Sequence, residues 1–353
     1  DLLLSSTIPG YTGYTHLMEN VGQTSNRGVE LSLTGYIIDR PDFTLNATFN
    51  IGRNKNKIDK LASGEKEMVL SSGWAGSQLL NSDDYRAYVG GTTGLIYGFV
   101  NDGFYTVDDF KPFDSKSRTW TLKDGVVNSS PLSGDPRPGN AKFKKLTPVD
   151  ENSANPYTLT DDDRTVIGNT TPKFSGGFGL NATFKGFDVS AFFNFMYDFD
   201  VFNANKVMMT TWASNNYNNF SMDISAAKRW RNFDDMGNEI RYSPEILAEF
   251  NKNATMWNPT SIGRPIAMSY AVEDGSFLRL NTATIGYTLP RVWTNQVGLS
   301  RVRFYASGYN LFTITGYSGY DPEVDIATGL TPNIDNNRYP RSRTYTFGVQ
   351  LTF

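Results

Sequence analysis

The chain has no cysteine and a single histidine, His16. Without thiols there is no disulfide framework and no thiolate metal site. A Ser-His-Asp arrangement would have to use His16, which sits in a Tyr/Gly stretch with no nucleophile elbow nearby. No apolar run approaches the roughly 20 residues a spanning helix needs, and mean hydropathy is -0.41. The net charge is only -3, so no basic field argues for nucleic acid. The opening Asp1-Leu2-Leu3-Leu4-Ser5 lacks a basic segment, an apolar core and a small-residue cleavage site. A secretory leader therefore belongs to a precursor, and the chain either is mature or starts inside something longer.

What the chain has is aromatic residues and glycine. With 24 Phe, 19 Tyr and 32 Gly in 353 residues, it suits strands and tight turns better than helices. Period-two alternation is the dominant signal. Phe43, Leu45, Ala47, Phe49 and Ile51 alternate with Thr44, Asn46, Thr48 and Asn50. Phe174, Phe178, Leu180, Ala182 and Phe184 repeat the pattern against Ser175, Asn181 and Thr183. At the end, Tyr345, Phe347, Val349, Leu351 and Phe353 alternate with Thr344, Thr346, Gln350 and Thr352. Further strands are expected near Gly28 to Ile38, Tyr85 to Phe104, Phe187 to Tyr197, Phe277 to Leu289 and Val302 to Phe312. The apolar parity changes after Leu280, which predicts a bulge there. Each strand covers about 10 residues, the length that crosses a bilayer at a tilt.

The connections alternate in length. Asp39-Arg40-Pro41-Asp42 and Lys185-Gly186 read as tight turns. Phe199 to Ser276 and Thr313 to Ser342 are long and rich in Asn, Tyr, Asp and Pro, with one helix expected at Pro244 to Asn251. This asymmetry is the transmembrane β-barrel arrangement. A soluble sandwich would carry many charges on its polar face, whereas Thr, Asn, Ser and Gly dominate here. Gly176-Gly177-Phe178-Gly179 lacks dinucleotide-binding spacing and lies within a strand, so it reads as a place where a neighbour packs closely.

Several blocks resemble the SusC/RagA family of TonB-dependent transporters. They are Asn20-Val21-Gly22 with Ser25-Asn26-Arg27-Gly28-Val29-Glu30-Leu31, then Asn54-Lys55-Asn56-Lys57-Ile58, and Gly98-Phe99-Val100-Asn101-Asp102-Gly103-Phe104-Tyr105. Asp163-Arg164-Thr165-Val166-Ile167-Gly168-Asn169-Thr170-Thr171-Pro172-Lys173 follows, then Lys185-Gly186-Phe187-Asp188-Val189 and Glu273-Asp274-Gly275-Ser276-Phe277-Leu278-Arg279-Leu280. The end matches best, with Tyr305 to Phe312, Tyr317-Ser318-Gly319-Tyr320-Asp321-Pro322-Glu323, Tyr339-Pro340, Arg343-Thr344 and a terminal Phe353. Each block alone is weak; their joint order covers nearly the whole chain.

The resemblance implies an all-β fold, a 22-stranded transmembrane antiparallel barrel plugged by an N-terminal domain. About 8 to 10 strands are legible here, too few for such a barrel, so residues 1–353 are expected to form its C-terminal portion, without the plug or the first strands. The implied function is TonB-dependent import of oligosaccharides or peptides across the outer membrane of a Gram-negative bacterium. The implied partners are a SusD-like surface lipoprotein, the TonB complex acting through the absent N-terminal part, and outer-membrane lipid. No enzyme activity, cofactor, metal or nucleic-acid partner is implied. A siderophore or vitamin receptor and a structural or adhesion barrel are the alternatives.

The family's aspartate-rich loop with calcium spacing is altered. Val149 to Pro156 and Asp161-Asp162-Asp163 lack the glycines of the sharp turn, so a solvated acidic loop is expected in its place. Trp212, Trp230 and Trp257 are candidates to stack on substrate sugar rings, with membrane-interface anchoring or loop packing as alternatives for each. Tyr317 and Tyr320 are further substrate-binding candidates. Phe353 resembles a signal read by the outer-membrane assembly machinery. The long loops and the tight turns should lie at opposite ends. Phe43, Phe49, Phe178, Phe184, Phe347 and Leu351 should contact lipid, with Thr48, Asn181, Thr183 and Gln350 facing the lumen.

Overall fold

The computed structural model describes residues 2–7, 16–61, 65–81, 83–211, 219–324 and 329–353, with side chains described from residue 22 onward, Ser77 excepted. One antiparallel sheet dominates. Its eight strands are β1 (Leu2–Thr7), β2 (His16–Arg40), β3 (Phe43–Lys60), β4 (Phe174–Phe184), β5 (Phe187–Tyr197), β6 (Phe277–Thr288), β7 (Arg301–Thr315) and β8 (Thr344–Thr352). Each pairs with the next in chain order, so the sheet is an up-and-down meander with β1 and β8 at its edges. That is the wall of an antiparallel barrel, as the alternation predicts.

The tight turns fall at one end. Pro41 and Asp42 join β2 to β3. Lys185 and Gly186 join β4 to β5 with φ of 44° and 90°. Positive φ at both central residues gives the turn whose twist matches a hairpin, and glycine takes the second position without a Cβ penalty. The Lys185 amide donates to the Asp42 carbonyl and the Thr288 amide to the Gly186 carbonyl, so neighbouring turns are stitched together. The 289–300 connection and the C-terminus meet at this end, where Ser300 donates to the Thr352 carbonyl.

The expected bulge lies at Asn281. Leu280 pairs with Phe193 and Thr282 with Phe192, which leaves Asn281 as the extra residue. On the other side Leu280 pairs with Phe312 and Thr282 with Tyr309, and Asn310 takes φ 51°. The parity change read in the sequence is this register shift.

One expected strand is not in the wall. Tyr85 to Phe104 divides into Tyr85–Tyr88, Leu95–Gly98 and Asn101–Phe104, which join small sheets elsewhere. Gly90 and Gly94 both have positive φ and fold the chain back between the first two. Residues 61–173 are therefore a third long connection, the longest, which the sequence alone did not reveal.

The three long connections share a core. Tyr85, Ile96, Phe99 and Phe143 from the first pack with Phe202, Val207, Trp257, Ile266 and Met268 from the second and Ile334 from the third. The second and third also pair in parallel, Phe202 with Ile334. The expected helix is present as Pro244–Phe250, and its Leu247 is buried against Trp230 and Ile240. The long-loop end is thus a packed cap with its own hydrophobic interior. Among the described residues no helix is long and apolar enough to cross a membrane.

Candidate functional site

Register assigns each strand two faces. Phe49, Phe178, Phe193 and Leu280 are successive partners across β3 to β6, as are Phe187, Tyr287, Phe304 and Val349 across β5 to β8. The Phe178 and Phe193 rings stack with centroids 4.6 Å apart. This face is apolar through the middle of the strands, giving way to Arg27, Arg53 and Lys55 toward the long-connection end of β2 and β3, and many of its residues are exposed: Phe347 is 80% exposed and Val29 77%. An apolar surface this extended marks an interaction face.

The opposite face is hydrogen-bonded across strands. The Thr44 and Thr183 hydroxyls lie 2.5 Å apart, Asn181 donates to Asn46 at 3.0 Å, and the Thr284 and Ser307 hydroxyls are 2.8 Å apart. Phe43, Phe49, Phe178, Phe184, Phe347 and Leu351 share the first face, and Thr48, Asn181, Thr183 and Gln350 the second, as the alternation predicts. The glycine cluster of β4 does admit a close neighbour: a Cβ on Gly177 would meet the Phe192 ring at 2.9 Å, and one on Gly176 the Asn50 carbonyl at 2.2 Å.

The sequence candidates for substrate contact separate sharply. Trp230 and Trp257 are buried, 3% and 2% exposed. Trp257 donates to the Thr210 carbonyl at 3.3 Å inside the shared core, and Trp230 packs on Phe104 and over Gly139. A ring enclosed on both faces offers no platform to a sugar, so the loop-packing alternative holds for both. Trp212 lies outside the described residues. Tyr317 is buried and donates to Asp335 at 2.8 Å. Burial and the Asp335 carboxylate push its phenol pKa up, so it stays a neutral structural donor.

Among the described candidates only Tyr320 is open, 86% exposed. It borders a cavity of about 660 Å³ with Tyr339, Arg338, Lys206, Asp223 and Asn205, a size typical of ligand pockets. Tyr339 was not singled out as a site residue from sequence, though it stands in a recognised block. Lys206 is held 3.4 Å from Glu273 and over the Tyr270 ring. The rim of this cavity therefore offers two aromatic faces beside charged and amide groups.

Two of the motif blocks form its foundation. Arg279, 2% exposed, contacts Asp321 at 2.5 Å and Glu323 at 3.2 Å, and Arg341 contacts Glu323 at 3.0 Å. Glu273 accepts from the Ser318 amide and hydroxyl at 3.0 and 2.8 Å. These bonds fasten the 316–343 connection to the start of β6. The acidic run behaves differently from expectation. Asp163 is fully buried, accepts from Leu146, Thr147 and Thr160, and pairs with Lys145 at 3.3 Å. Burial alone would raise its pKa; the hydrogen bonds outweigh it and hold it down to about 2. Only Asp161 and Asp162 are exposed, so the solvated-loop expectation is corrected for Asp163. Among the described residues no group of three or more His, Asp or Glu is arranged to hold a metal.

No family model matches the chain. Individual proteins do. TonB-dependent receptor P3 of Formosa agariphila is 30% identical over 359 residues, covering the whole chain and 31% of that receptor. TonB-dependent receptor SusC of Bacteroides thetaiotaomicron is 25% identical over 361 residues, again the whole chain and 29% of SusC. This chain is similar from end to end to TonB-dependent receptors, SusC among them. It spans about a third of the length of the curated relatives it matches. Among solved structures, the RagAB peptide transporter matches with a TM-score of 0.66 and 23% identity, covering the whole chain and 32% of the matched one. That likeness establishes the barrel-wall fold.

Proposed function

We propose that this SusC-type chain is the C-terminal part of an outer-membrane barrel that imports oligosaccharides or peptides. The observation that carries the reading is the apolar band through the middle of the meander, in a chain similar throughout to SusC. The apolar face meets lipid, the Thr/Asn face lines the lumen, and the tight turns with Phe353 face the periplasm. The packed cap of long connections then faces outward, where a SusD-like lipoprotein sits over it. Substrate arrives at the open aromatic cavity of Tyr320 and Tyr339. The plug and the TonB contact reside in the remainder of a longer polypeptide, and no bond is made or broken. Relatives named as receptors and transporters support a role without catalysis, and they lend no support to a siderophore or vitamin ligand.

The test is genetic and biochemical together. The full-length protein, purified from outer membranes under mild detergent, should bring down a surface lipoprotein. A strain lacking its gene should lose uptake of a glycan or peptide that the parent imports. Isolation without a lipoprotein, with uptake unchanged across neutral glycans, acidic glycans and peptides, would overturn the proposal.

A further inference from the structure

A second cavity, of about 500 Å³, opens in the cap between residues 118–140 and 232–263. Its walls carry three arginines, Arg118, Arg137 and Arg241, together with Trp120, Tyr242 and Asn232. Two of the guanidinium groups converge on one ring: Arg118 lies 5.3 Å and Arg241 5.8 Å from the Tyr242 centroid. Phe113 packs on both Trp120 and Tyr242, at 4.8 and 6.1 Å, and fixes the two rings as one wall.

The opposing charge is thin. Among the described residues neither Arg118 nor Arg137 has a carboxylate in ion-pair range. Asp135 lines the cavity. Glu239 lies 2.5 Å from the Arg241 Nε, yet that buried N–H makes no well-directed hydrogen bond. Arg118 is also held at φ 54°, a left-handed backbone uncommon outside glycine. Strain at a residue that lines a cavity points toward function.

Guanidinium groups bind carboxylate and sulfate oxygens through two parallel bonds, which ammonium groups do not. Flat indole and phenol faces suit the C–H face of a pyranose ring, and amide and hydroxyl groups around them suit its hydroxyls. We propose that this cavity binds the acidic group of an anionic oligosaccharide, a uronate or a sulfated sugar. The assignment rests on the import reading above and names its substrate class. A neutral glycan would leave the arginines unpaired, and an acidic peptide would leave the aromatic wall without a matching face.

The test uses the full-length protein in detergent and titration calorimetry. The probes are tetragalacturonate, its fully methyl-esterified form, a sulfated galactan tetrasaccharide and tetraglutamate. Tetragalacturonate or the sulfated sugar should bind, and the tighter of the two identifies the acid. Binding should weaken about tenfold or more for the ester and for the Arg118→Gln/Arg137→Gln variant. The Arg118→Lys/Arg137→Lys variant, which keeps the charge and serves as a folding control, should fall between. Equal binding of acid and ester, unchanged binding in the Gln variant, or no binding of either acidic sugar overturns the proposal. Tetraglutamate binding in place of the sugars overturns the glycan assignment. Loss of the gene without loss of uptake would instead sink the import reading while leaving a measured binding site standing.

Discussion

Asp188 and Arg303 form an ion pair across a strand that belongs to neither. Asp188 is on β5 and Arg303 on β7, and Gly286 of β6 lies between them. Arg303 Nε donates to Asp188 Oδ1 at 2.8 Å. A Cβ on Gly286 would stand 2.5 Å from Arg303 Nη2 and 2.6 Å from Asp188 Oδ1. The absent side chain is what allows the bridge.

This makes the pair testable as a unit. A partly exposed ion pair contributes modestly, so Asp188→Asn and Arg303→Gln should show a coupling of about 1 kcal/mol in a double-mutant cycle. The coupling should vanish in a Gly286→Ala background. The measurement is denaturant unfolding of the purified full-length protein. Strictly additive effects in the Gly286 protein would mean the contact contributes nothing.

The buried cluster at the base of β6 should behave more severely. Arg279 lies among Asp321 and Glu323 with almost no solvent contact. Without Asp321, Arg279 and Arg341 share the single carboxylate of Glu323, and the excess buried positive charge costs up to about 3–5 kcal/mol. Asp321→Ala should therefore lower thermal stability and speed protease cleavage within the 316–343 connection. Unchanged cleavage there would show that the cluster does not fasten that loop.

The strands were readable and the cap was not, for a physical reason. β4 and β5 lie where the alternation places them because each apolar side chain needs only a fixed side of its own strand. β2 and β3 run further than the apolar pattern. Arg27 still pairs with Lys55 and Asn26 with Asn56, since the backbone ladder asks nothing of hydrophobicity. The cap depends on contacts between distant segments, such as Phe202 with Ile334. Trp230 and Trp257 became core residues through such contacts, which no local pattern announces. Arg279 and Asp321 both stood in recognised motif blocks, yet nothing in either block says that the two touch.

Asp163 predicts an acid-sensitive cap. Its folded pKa, about 2, lies below the unfolded value of about 3.9. A depressed carboxylate contributes stability that is present above the unfolded pKa and lost as pH falls through the folded one. The wild-type protein should lose stability between about pH 4 and pH 2, and Asp163→Asn should flatten that part of the profile while lowering stability at neutral pH. Parallel profiles for the two proteins would remove Asp163 from the account.

The two faces of β8 give a sharper test of membrane placement. Phe347 is on the apolar face and Thr346 on the polar one. Arginine facing lipid near the bilayer midplane costs about 2–4 kcal/mol, so Phe347→Arg should destabilise the full-length barrel by that order in a lipid refolding assay. Thr346→Arg should cost far less. Equal costs would refute the assignment of faces.

The final residue carries the last expectation. β8 is an edge of the sheet here, and an unpaired edge is not tolerated in lipid. In a complete barrel β8 must find a further strand, and Phe353, 89% exposed, lies just beyond the end of it. We expect deletion of Phe353 from the full-length protein to lower its outer-membrane abundance sharply. Substrate affinity of the protein that does assemble should change little, because Phe353 sits at the tight-turn end, away from the cap cavities. Quantifying membrane abundance with and without Phe353 separates the cases. Normal abundance would reduce Phe353 to an exposed aromatic with no part in assembly, whereas lost abundance with retained affinity would assign it to insertion alone.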